Sequence, residues 1–481
     1  MNRKMIFYMI GQIIKLESVL LALPLIVALV YKEWVNSLIF AGTAVGAALL
    51  GFALAAIFRK AERTIYAKEG FVIVAIAWLS MSIIGALPFY ISGEIPSYID
   101  AFFETVSGFT TTGASILTDV EALSRSMLFW RSFSHWIGGM GVIVLIMAIL
   151  PDNSGRSIYI MRAEMPGPVV DKIVPRIRDI SKILYFIYIA LTAAMVVFLC
   201  CGGMPLYESL VHSFGTAGTG GFGIKADSIG SYSPYIQWVI TAFMLIFGVN
   251  FNLYYLIIKR RAKSAFKSEE LWCYIGIVVL TAGVIAFNIA PMFESTADSI
   301  RHSSFQVASI ITTTGYSTVD FNLWPTLSKS ILLVLMFIGG CAGSTAGGLK
   351  ISRIIMLAKT IGKELKIMLH PRAVVTTKFE GKRLDDTTTK SVGVYLALYI
   401  FILFGVFLLI SFEPFGIETN FTATVACFNN VGPGLAGVGP ASSFAQYSGF
   451  SKIVLSAAML LGRLELYPIL LTIIPSTWYR K

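Results

Sequence analysis

Charged side chains are scarce in this sequence: 14% of its 481 residues are Asp, Glu, Lys or Arg, where a soluble domain carries about 25%. That scarcity excludes an ordinary soluble fold. Cysteine is scarce too. The five are Cys200, Cys201, Cys273, Cys341 and Cys427. None has a metal-type spacing, and all lie in or beside apolar stretches, where a thiol serves as small filler. The four histidines, His135, His212, His302 and His370, are scattered. The pattern offers no transition-metal site and no nucleophile–base pair, so it gives an intramembrane enzyme no support and calls for no cofactor.

What the chain has in abundance is apolar length, with 56% hydrophobic residues. Roughly 20 apolar residues cross a bilayer as helix. Spans are expected near 17–31, 37–58, 70–92, 127–150, 183–202, 235–258, 271–293, 329–369 (broken inside), 391–412 and 450–474. The first is read as an uncleaved span, since no small-residue cleavage site follows Arg3 and Lys4. The net charge of +11 follows topology and does not point to nucleic acid. Lys and Arg number 3 in residues 1–15, 4 in 59–68, 6 in 151–182, 5 in 259–267, 10 in 350–390 and 2 at the C-terminus. These 30 of 38 fall on one side if the spans alternate. The positive-inside rule then places both termini in the cytoplasm, with basic loops that suit anionic lipid.

Four stretches align on one glycine: "TTTGAS" at 110–115, "GTGGFG" at 218–223, "TTTGYS" at 312–317 and "NNVGPG" at 429–434. The shared glycines are Gly113, Gly221, Gly315 and Gly432. Before each lies a segment too short to span, at 99–110, 205–217, 299–312 and 417–429. A full span flanks each unit on either side. The unit is span, short helix, glycine corner, span, repeated four times. Irregular backbone at membrane depth is tolerated only where it is buried in protein or lines water. Four such corners can share an axis, with the partly negative C-terminal ends of the short helices pointing inward. Rings of carbonyl dipoles can then replace the hydration shell of a monovalent cation. The expected filter residues are Thr111, Thr112, Gly113, Gly220, Gly221, Thr313, Thr314, Gly315, Asn430, Val431 and Gly432.

The second span of the third repeat contains "GGCAGSTAGG": Gly339, Gly340, Cys341, Ala342, Gly343, Ser344, Thr345, Ala346, Gly347 and Gly348. Each glycine costs about 1 kcal/mol relative to alanine inside a helix, so a loop is expected here, below the corners and within the membrane, as a pliable gate. Arg463 stands in "MLLGRLELYPILL". An arginine at a helix centre costs roughly 2.5–3.5 kcal/mol on insertion scales, so it must reach a partner or water. Its five donors suit carbonyls freed in the loop, and it is expected to hold that loop closed. "GVNFNLYY" at 248–255 aligns with the same region, setting Asn250 against Arg463 and Asn252 against Glu465. Glu94, Asp100, Glu104, Asp119, Glu121, Asp227 and Asp320 flank the outer mouth and could form an acidic vestibule that concentrates cations. "VVTTKFEGKRL" at 374–384 reads as a hairpin turning near Glu380 and Gly381.

With these corners, "GGCAGSTAGG" and "LLGRLELYP", the chain resembles the TrkH/KtrB superfamily of potassium transporters over nearly its whole length. "GTAGTGGFG" is the most divergent of the corners. Two additional spans before the first repeat, ten in all, are similar to the TrkH branch. The resemblance implies an all-α polytopic membrane protein: four span–pore helix–glycine corner–span repeats around a central pore, preceded by two extra N-terminal transmembrane helices. It implies K⁺ uptake through the four-glycine filter and a gating loop at 339–348 contacted by Arg463. It also implies a homodimer, a peripheral nucleotide-binding regulator of the TrkA type, and a place in the bacterial cytoplasmic membrane. Relatives with serine at the first corner carry Na⁺; here that position is Gly113. Composition alone does not rank K⁺ over Na⁺, and a secondary carrier for a small solute also uses broken helices at the midplane. The expected division is 1–69 for the extra pair, 70–155, 156–267 and 268–372 for three repeats, and 373–481 for the hairpin with the fourth.

Overall fold

The computed structural model describes residues 1–61, 67–141, 177–372 and 375–478. The boundary expected at 155/156, most of the basic stretch 151–182 and the end of the span expected at 127–150 lie outside the described residues. Among the described residues, six helices are long and apolar enough to cross a bilayer: Arg3–Val30, Trp34–Ile57, Lys68–Ile91, Ser181–Cys201, Glu269–Met292 and Asp386–Ile410. Arg125–Gly139 follows the first corner. The other second spans come in two pieces: Pro234–Phe247 with Phe251–Ile258, Thr326–Ile338 with Ile351–Leu369, and Gly449–Arg463 with Leu466–Ile473.

Two expectations are corrected. The first span begins at Arg3, well before residue 17, because Met5, Ile6, Met9, Ile10, Ile13 and Ile14 are buried in the core shared with Val72–Val74 and Trp78. The expected break in the third repeat is also not alone. The second-repeat span bends by 88° between Phe247 and Phe251, and the fourth breaks at Glu465, which has a φ of 54°. In the second repeat the carbonyls freed at the break accept from the glycine-rich segment of the third, Gly248 O from Cys341 N and Phe247 O from Thr345 Oγ1.

The short helices run Tyr98–Phe109, Leu206–Gly218, Thr296–Ile311 and Ile417–Phe428. Each opens with an acid in its first turn, namely Asp100, Glu208, Asp298 and Glu418, which complements the positive end of the helix dipole. Each lies between the two spans of its own repeat. The contacts between repeats close on themselves. Arg125–Gly139 packs on Leu206–Gly218, Pro234–Phe247 on Thr296–Ile311, Thr326–Ile338 on Ile417–Phe428, and Gly449–Arg463 on Tyr98–Phe109. The second span of every repeat thus seats the short helix of the next, and the fourth seats the first. The N-terminal pair packs outside this ring, on the first repeat. At the cytoplasmic end Lys378–Phe379 and Lys382–Arg383 form the expected antiparallel hairpin, with Phe379 opposite Lys382.

Candidate ion pathway

All four short helices end in the same way. The amide two residues before the glycine bonds back to form a tight turn: Thr111 to Gly108 O (3.1 Å), Thr219 to Thr216 O (3.0 Å), Thr313 to Ile310 O (3.0 Å) and Asn430 to Cys427 O (3.3 Å). The next amide reaches the carbonyl one residue further back: Thr112 to Ser107 O (2.9 Å), Gly220 to Gly215 O (2.8 Å), Thr314 to Ser309 O (2.8 Å) and Val431 to Ala426 O (2.9 Å). This double bond pattern is the Schellman motif. It needs a left-handed residue, usually glycine, yet here Thr111, Thr219, Thr313 and Asn430 adopt φ of 55°, 57°, 55° and 57°. A β-branched residue held there is a genuine outlier and costs roughly 1–2 kcal/mol. Strain of this kind persists where the surroundings over-determine it, typically at functional sites. The sequence draws the eye to the glycine, but the chain turns two residues earlier.

The threonines explain the triplet. In repeats one and three the first threonine returns its hydroxyl to its own helix, Thr110 to Val106 O (2.7 Å) and Thr312 to Ala308 O (2.6 Å). The same hydroxyl meets that of the third threonine, Thr112 at 2.7 Å and Thr314 at 2.8 Å. In the fourth repeat Asn430 Nδ2 reaches across to Thr112 Oγ1 (2.9 Å), tying the last corner to the first.

The four glycines set the register. A β-carbon on Gly113 would collide with the carbonyl oxygen of Gly220, one on Gly221 with Thr314 O, one on Gly315 with Val431 O, and one on Gly432 with Thr112 O at 2.6 Å. Every clash is with the residue before the glycine of the next corner, and the sequence runs one, two, three, four and back to one. The β-carbon on Gly113 would also lie 3.7 Å from Thr314 O on the diagonally opposite corner, so it would project into the lumen. The corners therefore surround one axis. The divergent second corner has its Gly221 in register with the rest. Outside this ring lies a vestibule of about 300 Å³, floored by Gly113, Gly221, Gly315 and Gly432.

Directly beneath, the segment 339–348 is a loop, as its glycines require; Gly339, Gly343 and Gly348 have φ of 71°, 71° and 75°. It is bonded on several sides. Gly347 N donates to Thr313 Oγ1 (2.6 Å) and Gly348 N to Asn429 O (3.2 Å), so the loop touches the corners themselves. Cys341 N donates to Gly248 O, and Phe251 N donates to Gly343 O, each at 3.0 Å. The broken second-repeat span thereby grips the loop, with Asn250 capping its inner half through Asn252 N (3.0 Å). Arg463 Nη1 donates to Thr345 O (2.6 Å), while Nη2 donates to Gly138 O (2.6 Å) and Gly139 O (2.7 Å). One guanidinium thus joins repeats one, three and four. Lys350 Nζ donates to Ala346 O. Lys350 and Arg463 both line the small space of about 50 Å³ on the inner side of the loop.

With this geometry described, the chain can be set beside known proteins. The family model described as TrkH, a cation transport protein, matches residues 38–480. The chain is 37% identical to the Trk system potassium uptake protein TrkH of Salmonella typhimurium, covering 99% of this chain and 100% of that protein. It is 36% identical to the Trk system potassium uptake protein TrkG of Escherichia coli over 97% of each. The crystal structure of the potassium transporter TrkH from Vibrio parahaemolyticus superposes with a TM-score of 0.89 at 32% identity, covering all of both chains. The chain belongs to the TrkH family.

Within this TrkH-family chain the acidic vestibule is a correction. None of the seven acids lines the outer vestibule among the described residues; Arg131 and Lys225 do. The acids serve the scaffold instead. Glu94 accepts from Ser124 N (2.9 Å), Asp100 pairs with Lys452 (2.6 Å), Glu121 accepts from Ala226 N (3.1 Å), and Asp320 caps at Asn322 N (3.0 Å). Glu104 is buried and pairs with buried Arg131 at 2.6 Å. Its carboxylate also accepts from Ser115 Oγ and Ile116 N, each at 2.9 Å, while Arg131 Nη1 reaches Gly223 O (2.9 Å). This pair braces the segments after the first and second corners. Sequence reasoning passed over it, yet a signal existed. Nine residues before each glycine stand Glu104, His212, Gln306 and Ala423, so counting back along the repeat marks a polar residue behind three of the four corners. Lys350, His135 and Glu270 were missed as well. His135 Nδ1 meets Gly108 O at 2.7 Å and its Nε2 accepts from Phe222 N (3.3 Å).

Proposed function

We propose that this chain takes up K⁺ across the bacterial inner membrane, with the four corners as its selectivity filter and the loop 339–348 as its gate. The observation that carries the reading is the closed register in which each glycine faces the carbonyl before the next glycine. A ring of four backbone carbonyls supplies dipoles in place of ion hydration. Arg463 and Lys350 add positive charge below, which opposes cation passage while the loop is seated. The names of the relatives, potassium uptake proteins, agree in substrate. The family likeness supports two further parts of this reading: a homodimer, and a peripheral nucleotide-binding regulator of the TrkA type at the basic cytoplasmic face.

Purified protein in liposomes tests this directly. K⁺ and Rb⁺ flux should exceed Na⁺ flux at equal gradients. Equal Na⁺ flux would favour the Na⁺-conducting reading, and no cation flux would end the conduit reading.

A further inference from the structure

The gating loop is held at both ends by one carboxylate that the pathway does not otherwise use. Glu270 is buried in the first turn of Glu269–Ile289. Its Oε1 accepts from Ala342 N (2.7 Å), inside the loop, and from Ser352 N (3.1 Å), just past it. A single acceptor thus fixes the entry and exit of the loop to a neighbouring span. Hydrogen bonds to a charged acceptor are the stronger kind.

The position of Glu270 is itself set from the cytoplasm. Glu380, at the tip of the hairpin, accepts from Ser268 Oγ (2.8 Å) and from Glu270 N (3.1 Å). The tip has φ of 48° at Glu380 and 74° at Gly381. Both central residues of such a turn are left-handed, and Asn, Asp or Gly normally fill the first position. Glutamate is a poor choice for the turn, but its carboxylate has the reach to cap the neighbouring helix. The hairpin is also fastened to the helix leaving the loop. Phe379 is buried against Met356, and Lys359 Nζ donates to Lys378 O (2.9 Å).

We propose that Glu270 is the positioning residue of the gating loop, and that the hairpin 378–383 is its input arm, acting through Glu380. A pull on the hairpin moves the start of Glu269–Ile289, and Glu270 carries that shift to Ala342 and Ser352. The exposed residues of the arm, Lys378 and Arg383 among them, offer a basic grip to an acidic cytoplasmic surface. The proposal rests on the reading of 339–348 as the gate.

The test uses the full chain in liposomes with two readouts. One is basal Rb⁺ flux. The other is maleimide labelling of Cys341, which is buried in the loop, read by peptide-resolved mass spectrometry. Glu270→Ala should raise both flux and labelling rate by about tenfold, the bias of one charge-assisted hydrogen bond. Glu270→Gln keeps an acceptor oxygen but not its charge, and should fall between wild type and Glu270→Ala. Glu380→Ala, at an exposed site that tolerates change, should raise both by about threefold. The double variant Glu270→Ala, Glu380→Ala should match Glu270→Ala alone, because the arm acts through Glu270. Wild-type labelling in Glu380→Ala, or additive effects in the double variant, would overturn the relay. Wild-type labelling in folded Glu270→Ala, or a Glu270→Gln as open as the alanine variant, would overturn the positioning role. Labelling that rises without flux would leave the relay standing and remove the gate reading instead.

Discussion

Arg463 and Thr345 meet at 2.6 Å, guanidinium to carbonyl, directly below the ring of corners. The same side chain reaches Gly138 and Gly139 in the first repeat, so the loop of repeat three is tied to the wall of repeats one and four. Arg463→Ala removes all three bonds and one positive charge. Basal K⁺ flux in liposomes should rise by about tenfold, given that a hydrogen bond from a charged donor is worth about 1.5–3 kcal/mol. The K⁺/Na⁺ ratio should not change, because the corners are untouched. A folded variant that conducts no more than wild type would reduce Arg463 to a structural tie.

Gly113→Ser places a β-carbon against Gly220 O and toward the lumen, at a φ of 79°. The left-handed conformation adds roughly 1–2 kcal/mol of strain. The corner should shift and the K⁺/Na⁺ permeability ratio fall by about tenfold, equivalent to about 1.4 kcal/mol. Gly315→Ser should behave alike, since Gly315 faces Val431 O in the same way. Reversal potentials under bi-ionic conditions decide it, and unchanged ratios in both variants would dismiss the filter assignment.

Removing two or three residues from 342–347 should raise basal flux. The shortened loop can no longer span the bonds from Cys341 to Gly248 and from Gly348 to Asn429. A well-expressed deletion with wild-type or lower flux in a liposome assay counts against the gate.

Glu104→Ala leaves Arg131 buried with its charge uncompensated. Breaking a buried pair from one side costs about 3–5 kcal/mol. The thermal midpoint in detergent should drop clearly, whereas Glu104→Gln, which keeps an acceptor, should lose less. An unchanged midpoint in the alanine variant would mean that water or another group replaces Glu104.

Much of this protein was legible in its sequence because the bilayer restricts what a chain can do. Apolar length gave the spans, the Lys/Arg distribution suggested their orientation, and four glycines in one register marked the corners. "GGCAGSTAGG" could not remain helical, and a mid-span arginine had to find acceptors. These are local facts, set by hydrophobic length and backbone preference. Tertiary structure decided what depends on neighbours far along the chain. Thr111, Thr219, Thr313 and Asn430 are left-handed because the corner must turn before the glycine, a choice their own propensities oppose. The span of repeat two breaks where Gly248 O accepts from Cys341 N and Phe251 N donates to Gly343 O. The outer acids pair or cap within the scaffold and leave the vestibule to Arg131 and Lys225. Glu270 acquires its hold on Ala342 and Ser352 across 72 and 82 residues. No window of sequence contains such partners, since a carboxylate's role is fixed by which amides the closed ring brings within its reach.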